Sequence, residues 1–388
     1  MNDVSVKERL KNKRKETGKN FDELLVLYGI ERLLYRISVS EHSDQFILKG
    51  GALLYTLLDN DARMTRDIDV LARKLQNSRE NIKSVMESIC SISSDDALTF
   101  DKDSICVEDI AEDAEYHGVR FVITAYLGKA KIHLQMDIGF SDAVYPEPKK
   151  IEFPSLLKMD KPYMYAYPIE AVIAEKYEAM TSLGDKNSRF KDFYDIVMLS
   201  RNYDFDGRVL QEAMTSTFTG RNTQFSHHIY TNDFAANKER LWQGFKNRIN
   251  SRLELTFEET LREIKKFIMP VQSAIEKGEH FSDFWTRKGW ITAEKYNSNV
   301  DNSTIDLELL YKAIESMPDK DQEMLDLNHL IKIENREMAV SKMVNFLFKS
   351  GKTNEEITHL LSQIKKMAID KLSQPQYEYF RDDRSHKK

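Results

Sequence analysis

FILKGGALLYTLLDNDARMTRDIDVL, residues 46–71, is the stretch whose reading decides the fold. A short apolar approach, Phe46-Ile47-Leu48, runs into Gly50-Gly51 and then into a helix whose Leu53, Leu54, Leu57 and Leu58 return at one-turn spacing. Two glycines ahead of a helix let backbone N–H groups come close to an anion, and the helix N-terminus adds partial positive charge there. Asp67-Ile68-Asp69-Val70-Leu71 then has the β-branched, apolar character of a strand. Alternate side chains of a strand share a face, so Asp67 and Asp69 stand side by side, about 6–7 Å apart, while Ile68 and Val70 face a core. Two carboxylates on a rigid strand suit a hard divalent cation such as Mg²⁺ or Mn²⁺, completed by substrate phosphates. Two ordinary aspartates on a solvated strand are the bland alternative, and the glycine turn upstream is what speaks against it.

Working outward, Ile105–Val107, Val119–Ile123 and Ile132–Ile138 are three strand candidates, with Gly118 and Leu127-Gly128-Lys129 as turn signals between them. An antiparallel meander is the simplest arrangement. In the third strand Ile132, Leu134, Met136 and Ile138 alternate with His133, Gln135 and Asp137, which puts Asp137 on the polar face. If this strand lies beside Ile68 with matching faces, Asp137 joins Asp67 and Asp69, and three crowded acids call for cations to neutralise them. Otherwise Asp137 merely ends a strand. His133 reads as a structural polar residue.

Helical periodicity covers Phe21–Ser38, expected to pack across the sheet, and Ser78–Cys90 behind a serine cap. Residues 146–162 hold four of the chain's eight prolines and read as the crossing into a second, helical lobe. Pro168–Leu183 follows as a helix with proline at an early position and Val172, Ile173 and Met180 on its buried side. Lys176 lies on the apolar flank, where it either snorkels or reaches a cleft to bind a triphosphate. Asn187 or Ser188 can cap RFKDFYDIVMLSR, residues 189–201, whose Asp192 sits near the helix start, where the dipole favours a carboxylate. Arg189 can neutralise a nearby acid or bind phosphate. From residue 210 to 290 the pattern is helical, with a kink or end at Pro270 and with Trp285 and Trp290 as packing aromatics. Residues 297–303 read as a linker. Helices at 336–349 and 353–372 follow, either a packing or oligomerisation pair or a DNA-reading helix-turn-helix.

At 388 residues the chain should hold two or three packed units, and 41% hydrophobic with 31% charged residues is ordinary for a globular protein. A net charge of -6 excludes a globally basic nucleic-acid binder. Cys90 and Cys106 give neither a metal spacing nor a disulfide framework. No apolar run reaches the roughly 18 residues of a membrane span. The expectation is a reduced, cytoplasmic protein with no membrane partner. The first twenty residues are basic and read as a solvated terminus, with contact to nucleic acid as the alternative.

The motifs KGGALL (49–54), RMTRDID (63–69), LQMDIGFSD (134–142), YPIEAVIAEKYEAM (167–180) and NSRFKDFYDI (187–196) occur in one order. Together they resemble the DNA polymerase β-like nucleotidyltransferase superfamily and, more narrowly, the AbiEii/AbiGii toxin family, over about residues 21–290. Ala52 departs from the Ser or Thr common after the glycines, which shifts phosphate contact onto backbone amides. The resemblance implies an α+β fold: a polymerase β-like mixed sheet with flanking helices (residues 1–150), a helical lobe completing a nucleotide cleft (151–296) and a C-terminal helical extension (304–388). It implies a Mg²⁺-dependent transfer of NMP from an NTP to a hydroxyl, by the toxin of a toxin–antitoxin or abortive-infection system. RNA, at a tRNA 3′ end, would be the acceptor and a separate antitoxin the partner. Asp67, Asp69 and Asp137 would hold metal. Lys49, Gly50, Gly51, Lys176 and Arg189 would bind nucleotide, and Lys176 and Asp192 would join the three acids as catalytic residues, with Asp195 as the substitute for Asp192. Transfer to a small molecule such as an antibiotic, or a nucleotide-binding docking module without turnover, are the rival readings.

Overall fold

The structure, a computed structural model, describes residues 1–58, 62–110, 118–140 and 144–296. The linker expected at 297–303 and the helices expected at 336–349 and 353–372, hence the extension 304–388, lie outside the described residues. Met1–Thr292 form one compact unit.

Seven strands make a mixed sheet, in the order β3-β4-β5-β2-β1-β7-β6. The expected meander is its first part: β3 (Leu98–Ile110), β4 (Gly118–Leu127) and β5 (Ala130–Phe140), each antiparallel to the next. Next to it lies β2 (Asp67–Ala72), parallel to β5, and then β1 (Phe46–Lys49), antiparallel to β2. Alternation sets the faces, since Ile68, Val70, Leu134, Met136 and Ile138 are all buried at 0–1% exposure. Helix α2 (Phe21–Val39) crosses that apolar face. Its Gly29 admits the close approach, because a Cβ there would stand 3.0–3.1 Å from Leu134 and Ile132. Arg36 Nη1 and Arg32 Nε of α2 donate to the buried Asp96 carboxylate at 2.6 and 3.2 Å and tie the helix to the lead-in of β3. Helix α4 (Arg79–Cys90) starts as expected, with the Ser78 hydroxyl accepting from Asn81 N–H at 3.2 Å.

The proline-bearing segment departs from its sequence reading. Rather than simply crossing to another lobe, it supplies β6 (Lys149–Glu152) and β7 (Tyr163–Ala166), and β7 pairs parallel with β1. The sheet therefore runs past residue 150. Strands of four residues between prolines carry too few alternations to be read from pattern alone. The basic N-terminus is also folded: α1 (Asp3–Thr17) is capped by Asn2, closed by left-handed Gly18, and buries Val6 and Leu10. Two apolar residues one turn apart were hidden among the charges.

Beyond the sheet come α5 (Ile169–Leu183), α6 (Phe190–Asn202), α7 (Gly207–Gly220), α8 (Asn232–Arg248) and α9 (Phe257–Lys277). α6, α8 and α9 meet at Phe190, Phe193, Trp242 and Phe257, whose rings lie 5.0–6.4 Å apart. Pro168 is the N-cap of α5, and Arg189, rather than Asn187 or Ser188, takes the cap position of α6; Asn187 Oδ1 instead accepts from the Arg189 N–H at 2.7 Å. α9 continues through Pro270 to Lys277, so the helix does not end at the proline. Its buried stripe, Leu261, Ile264, Phe267, Ile268 and Val271, holds the helix together where proline removes one N–H donor. Trp285 and Trp290 pack on Phe267, in a small sheet of β8 (Phe205–Asp206), β9 (Phe284–Thr286) and β10 (Gly289–Ile291) that the sequence pattern did not reveal.

Candidate functional site

β1 ends at Lys49, and α3 (Gly50–Leu58) begins at once. Gly50 makes the corner at φ +63, in the left-handed region, and a Cβ there would fall on the Asp69 carboxylate. A Cβ on Gly51 would overlap the Thr65 hydroxyl. The glycine pair thus lets the helix start seat directly on the acid strand, with the Gly51 N–H reaching Asp69 Oδ2 at 3.4 Å. Ala52, in place of a hydroxyl residue, is fully buried.

Asp67 and Asp69 are half-buried and alternate with buried Ile68 and Val70. Asp67 Oδ1 accepts from the Thr65 hydroxyl at 2.9 Å. Burial, then the charge of Asp67, push the Asp69 carboxyl above its ordinary range, although Lys49 and Lys191 pull the other way. Asp137 lies opposite Asp69 in the parallel register of β2 and β5. Its carboxylate is engaged from the other side of β5: Arg120 of β4 donates from Nε and Nη2 at 2.8 Å each, and Gln135 Nε2 donates at 3.2 Å. Among the described residues no three acid, His or Cys side chains are gathered closely enough to hold a metal. Asp67 and Asp69 fit a divalent ion by their own electrostatics, because a cation relieves the repulsion that raises Asp69. Asp137 is on the adjacent strand, and both oxygens of its carboxylate accept from Arg120.

Lys49 lies 3.2 Å from Glu175 Oε2 and 5.1 Å from the centre of the Tyr167 ring. Burial opposes ionisation of Glu175, but Lys49 and Arg221 beside it hold its carboxyl below the usual range. Arg221 also donates to Glu178 Oε2 at 2.5 Å, and the Thr223 hydroxyl donates to Glu178 Oε1 at 2.6 Å, which binds the segment after α7 to α5.

Lys176 is placed differently from either sequence reading. It neither snorkels nor stands open to a cleft; its ammonium is buried and donates to Asp192 Oδ1 and Asp195 Oδ2 at 2.8 Å each. Burial works against its charge, yet Asp195 and Asp192 outweigh that and raise its pKa. Arg63 joins from the loop before β2, donating from Nε to Asp195 Oδ1 at 3.1 Å and from Nη2 to Oδ2 at 3.2 Å. Arg189 Nε stands 2.8 Å from Asp192 Oδ2 as an ion pair, out of hydrogen-bond alignment, so this buried oxygen accepts no hydrogen bond from the described residues. Three cations therefore surround two acids.

The fold brings Asp67, Asp69 and Asp137 onto neighbouring strands beside Gly50 and Gly51, and it joins buried Lys176 and Asp192 to Arg189, which is open to solvent. Arg63, Thr65, Arg120, Glu175 and Lys191 are further residues of this region that the sequence reading does not name as site residues. Thr65 bonds to Asp67 two positions on, while the others act through partners far along the chain. Arg63 and Asp195 are 132 positions apart, and only the RMTRDID motif marked the region of Arg63 at all.

The family profile described as nucleotidyl transferase AbiEii toxin, type IV toxin–antitoxin system, matches residues 32–264, more than half of the chain. No curated protein matches the chain significantly. Two solved structures from Helicobacter pylori are similar to it at 18% identity and a TM-score of 0.38, each over 64% of this chain. One is JHP933, covered over 90% of its length, and the other, titled as a candidate nucleotidyltransferase, is covered over 95%.

Proposed function

We propose, from the premise that this chain belongs to the AbiEii nucleotidyl transferase toxin family of type IV toxin–antitoxin systems, that it moves a nucleoside monophosphate from an NTP to a hydroxyl of RNA, at the 3′ end of tRNA. The observation that carries this reading is the seat of the Gly50 corner on the Asp69 carboxylate. It sets the start of α3 and a pair of metal-competent acids against one small volume.

Backbone N–H groups of Gly50 and Gly51 receive phosphate oxygens, and the ammonium of Lys49 adds charge beside them. Asp67 and Asp69 would hold Mg²⁺ or Mn²⁺, which when bound neutralises phosphate charge and lowers the barrier to displacement. The acceptor hydroxyl oxygen bonds to the α-phosphorus as the bond to the β-phosphate oxygen breaks, and pyrophosphate leaves. Asp137 accepts or relays the hydroxyl proton once the acceptor displaces Arg120 from it. Lys176, Asp192 and Arg189 carry the charge that holds the site's floor. A separate antitoxin protein is the expected partner.

The test is incubation with Mg²⁺, each labelled NTP and total RNA. Label should appear in tRNA, and Asp67→Asn should cut incorporation about a thousandfold or more without loss of helical signal. Label in a small molecule instead would favour antibiotic modification. NTP binding with no transfer to any acceptor would leave a docking module.

A further inference from the structure

Lys176 cannot offer its charge to a ligand while two aspartates enclose it. Its three donors have two partners at 2.8 Å in a site with almost no exposure. The cation that faces the glycine turn is a different one. Arg63 spends Nε and Nη2 on Asp195, while its Nη1 makes no hydrogen bond to the described residues and lies 3.7 Å from where a Cβ on Gly51 would sit. That atom stands beside Gly51 at the start of α3, and Arg63 also feels the charge of Asp67. The guanidinium is planar, so fixing one edge on Asp195 fixes where the other edge points.

We propose that Arg63 is the residue that grips the β- and γ-phosphates of the nucleotide, and that Asp195, held by Lys176, is the positioning residue that aims it. This rests on the nucleotidyltransferase reading above and names who does the phosphate binding within it. Lys176 then acts through two intermediaries, and its buried place is a requirement of the device. Lys176, Arg63 and Arg189 outnumber Asp192 and Asp195 by one charge, and Arg63 brings an unbonded N–H edge of that network to the start of α3.

The test compares the full-length chain with Arg63→Gln, Arg63→Lys and Asp195→Asn, titrated in Mg²⁺ with a non-hydrolysable NTP analogue and with the matching NMP. Arg63→Gln should weaken analogue binding about ten- to a hundredfold and leave NMP binding unchanged. Arg63→Lys should recover part of the loss. Asp195→Asn should raise KM for NTP more than it lowers kcat, a split that general loosening of the fold would not give. A readout on the wild-type chain covers variants that fail to fold. NTP with Mg²⁺ should protect Arg63 from phenylglyoxal, read by peptide mass spectrometry, and NMP should not. Equal analogue affinity in wild type and Arg63→Gln, or equal labelling with and without NTP, would overturn the assignment of Arg63 alone. Wild-type chain that binds no NTP would remove the nucleotide site and this assignment together.

Discussion

Asp67 and Asp69 on β2 and Asp192 and Asp195 on α6 are chemically the same pair of acids, set in one half of the molecule and treated in opposite ways. The strand pair is half-buried and close enough for one carboxylate to disfavour ionisation of the other. The helix pair is fully buried, one turn apart, with Lys176 between them and Arg63 and Arg189 at their outer edges. Burial raises Asp69 and would raise Asp195, but Lys176 and Arg63 more than offset it and hold Asp195 below the usual carboxylate range. The strand pair feels Lys49 and Lys191 but is salt-bridged to no cation among the described residues, whereas the helix pair is saturated from within.

The comparison breaks most sharply at Lys176. Lys176→Met leaves two buried acids short of a cation and should cost about 3 kcal/mol or more in urea denaturation. Adding Asp192→Asn should recover part of that cost, since neighbours in one network are not additive. Preserved stability in Lys176→Met would mean the pair is not saturated from within.

A smaller effect is expected at the corner beside the strand pair. Gly50→Ala must place a side chain at φ +63 and push the Asp69 carboxylate aside, a loss of about 2 kcal/mol with reduced transfer. Thermal unfolding and the labelled-NTP assay read both.

The smallest effect sharpens the comparison through pH and metal. A raised folded pKa for Asp69 means its contribution to stability is present below the ordinary 3.8 and is lost as pH rises through the folded value. Asp195 has the reverse sign: its contribution is present above 3.8 and is lost as pH falls through its lowered value. Asp69→Asn should therefore be at least as stable as wild type at neutral pH without divalent ions. Mg²⁺ should raise the Tm of wild type and not that of the variant. A Mg²⁺-induced shift retained in Asp69→Asn would place the ion elsewhere.

Much of this was legible in the residues. Alternation around Ile68 and Val70 fixed the face of Asp67 and Asp69, and the same rhythm from Ile132 to Ile138 placed Asp137 on the matching face of a strand. Helices α2, α4 and α5 fall within a residue or two of their patterns because each carries a long apolar stripe and a recognisable start. The remainder depended on partners far along the chain. Nothing near Lys176 announces Asp195 as its mate, since a lysine on an apolar flank reads alike whether it snorkels or is enclosed. Arg120 looks like an outward strand residue until β5 lies beside it. β7 carries four residues of pattern, and its place is set by the open edge of β1 rather than by its own composition.

That last strand bears on how the chain can be divided. β1 has β2 on one side and receives β7 on the other only after synthesis has passed the proline run. A fragment ending at residue 150 would carry the glycine corner and all three strand acids, but it would leave bare the edge of β1 that β7 covers, a template for pairing with other copies. Shortened or fused forms of this protein should therefore keep Met1–Thr292 intact.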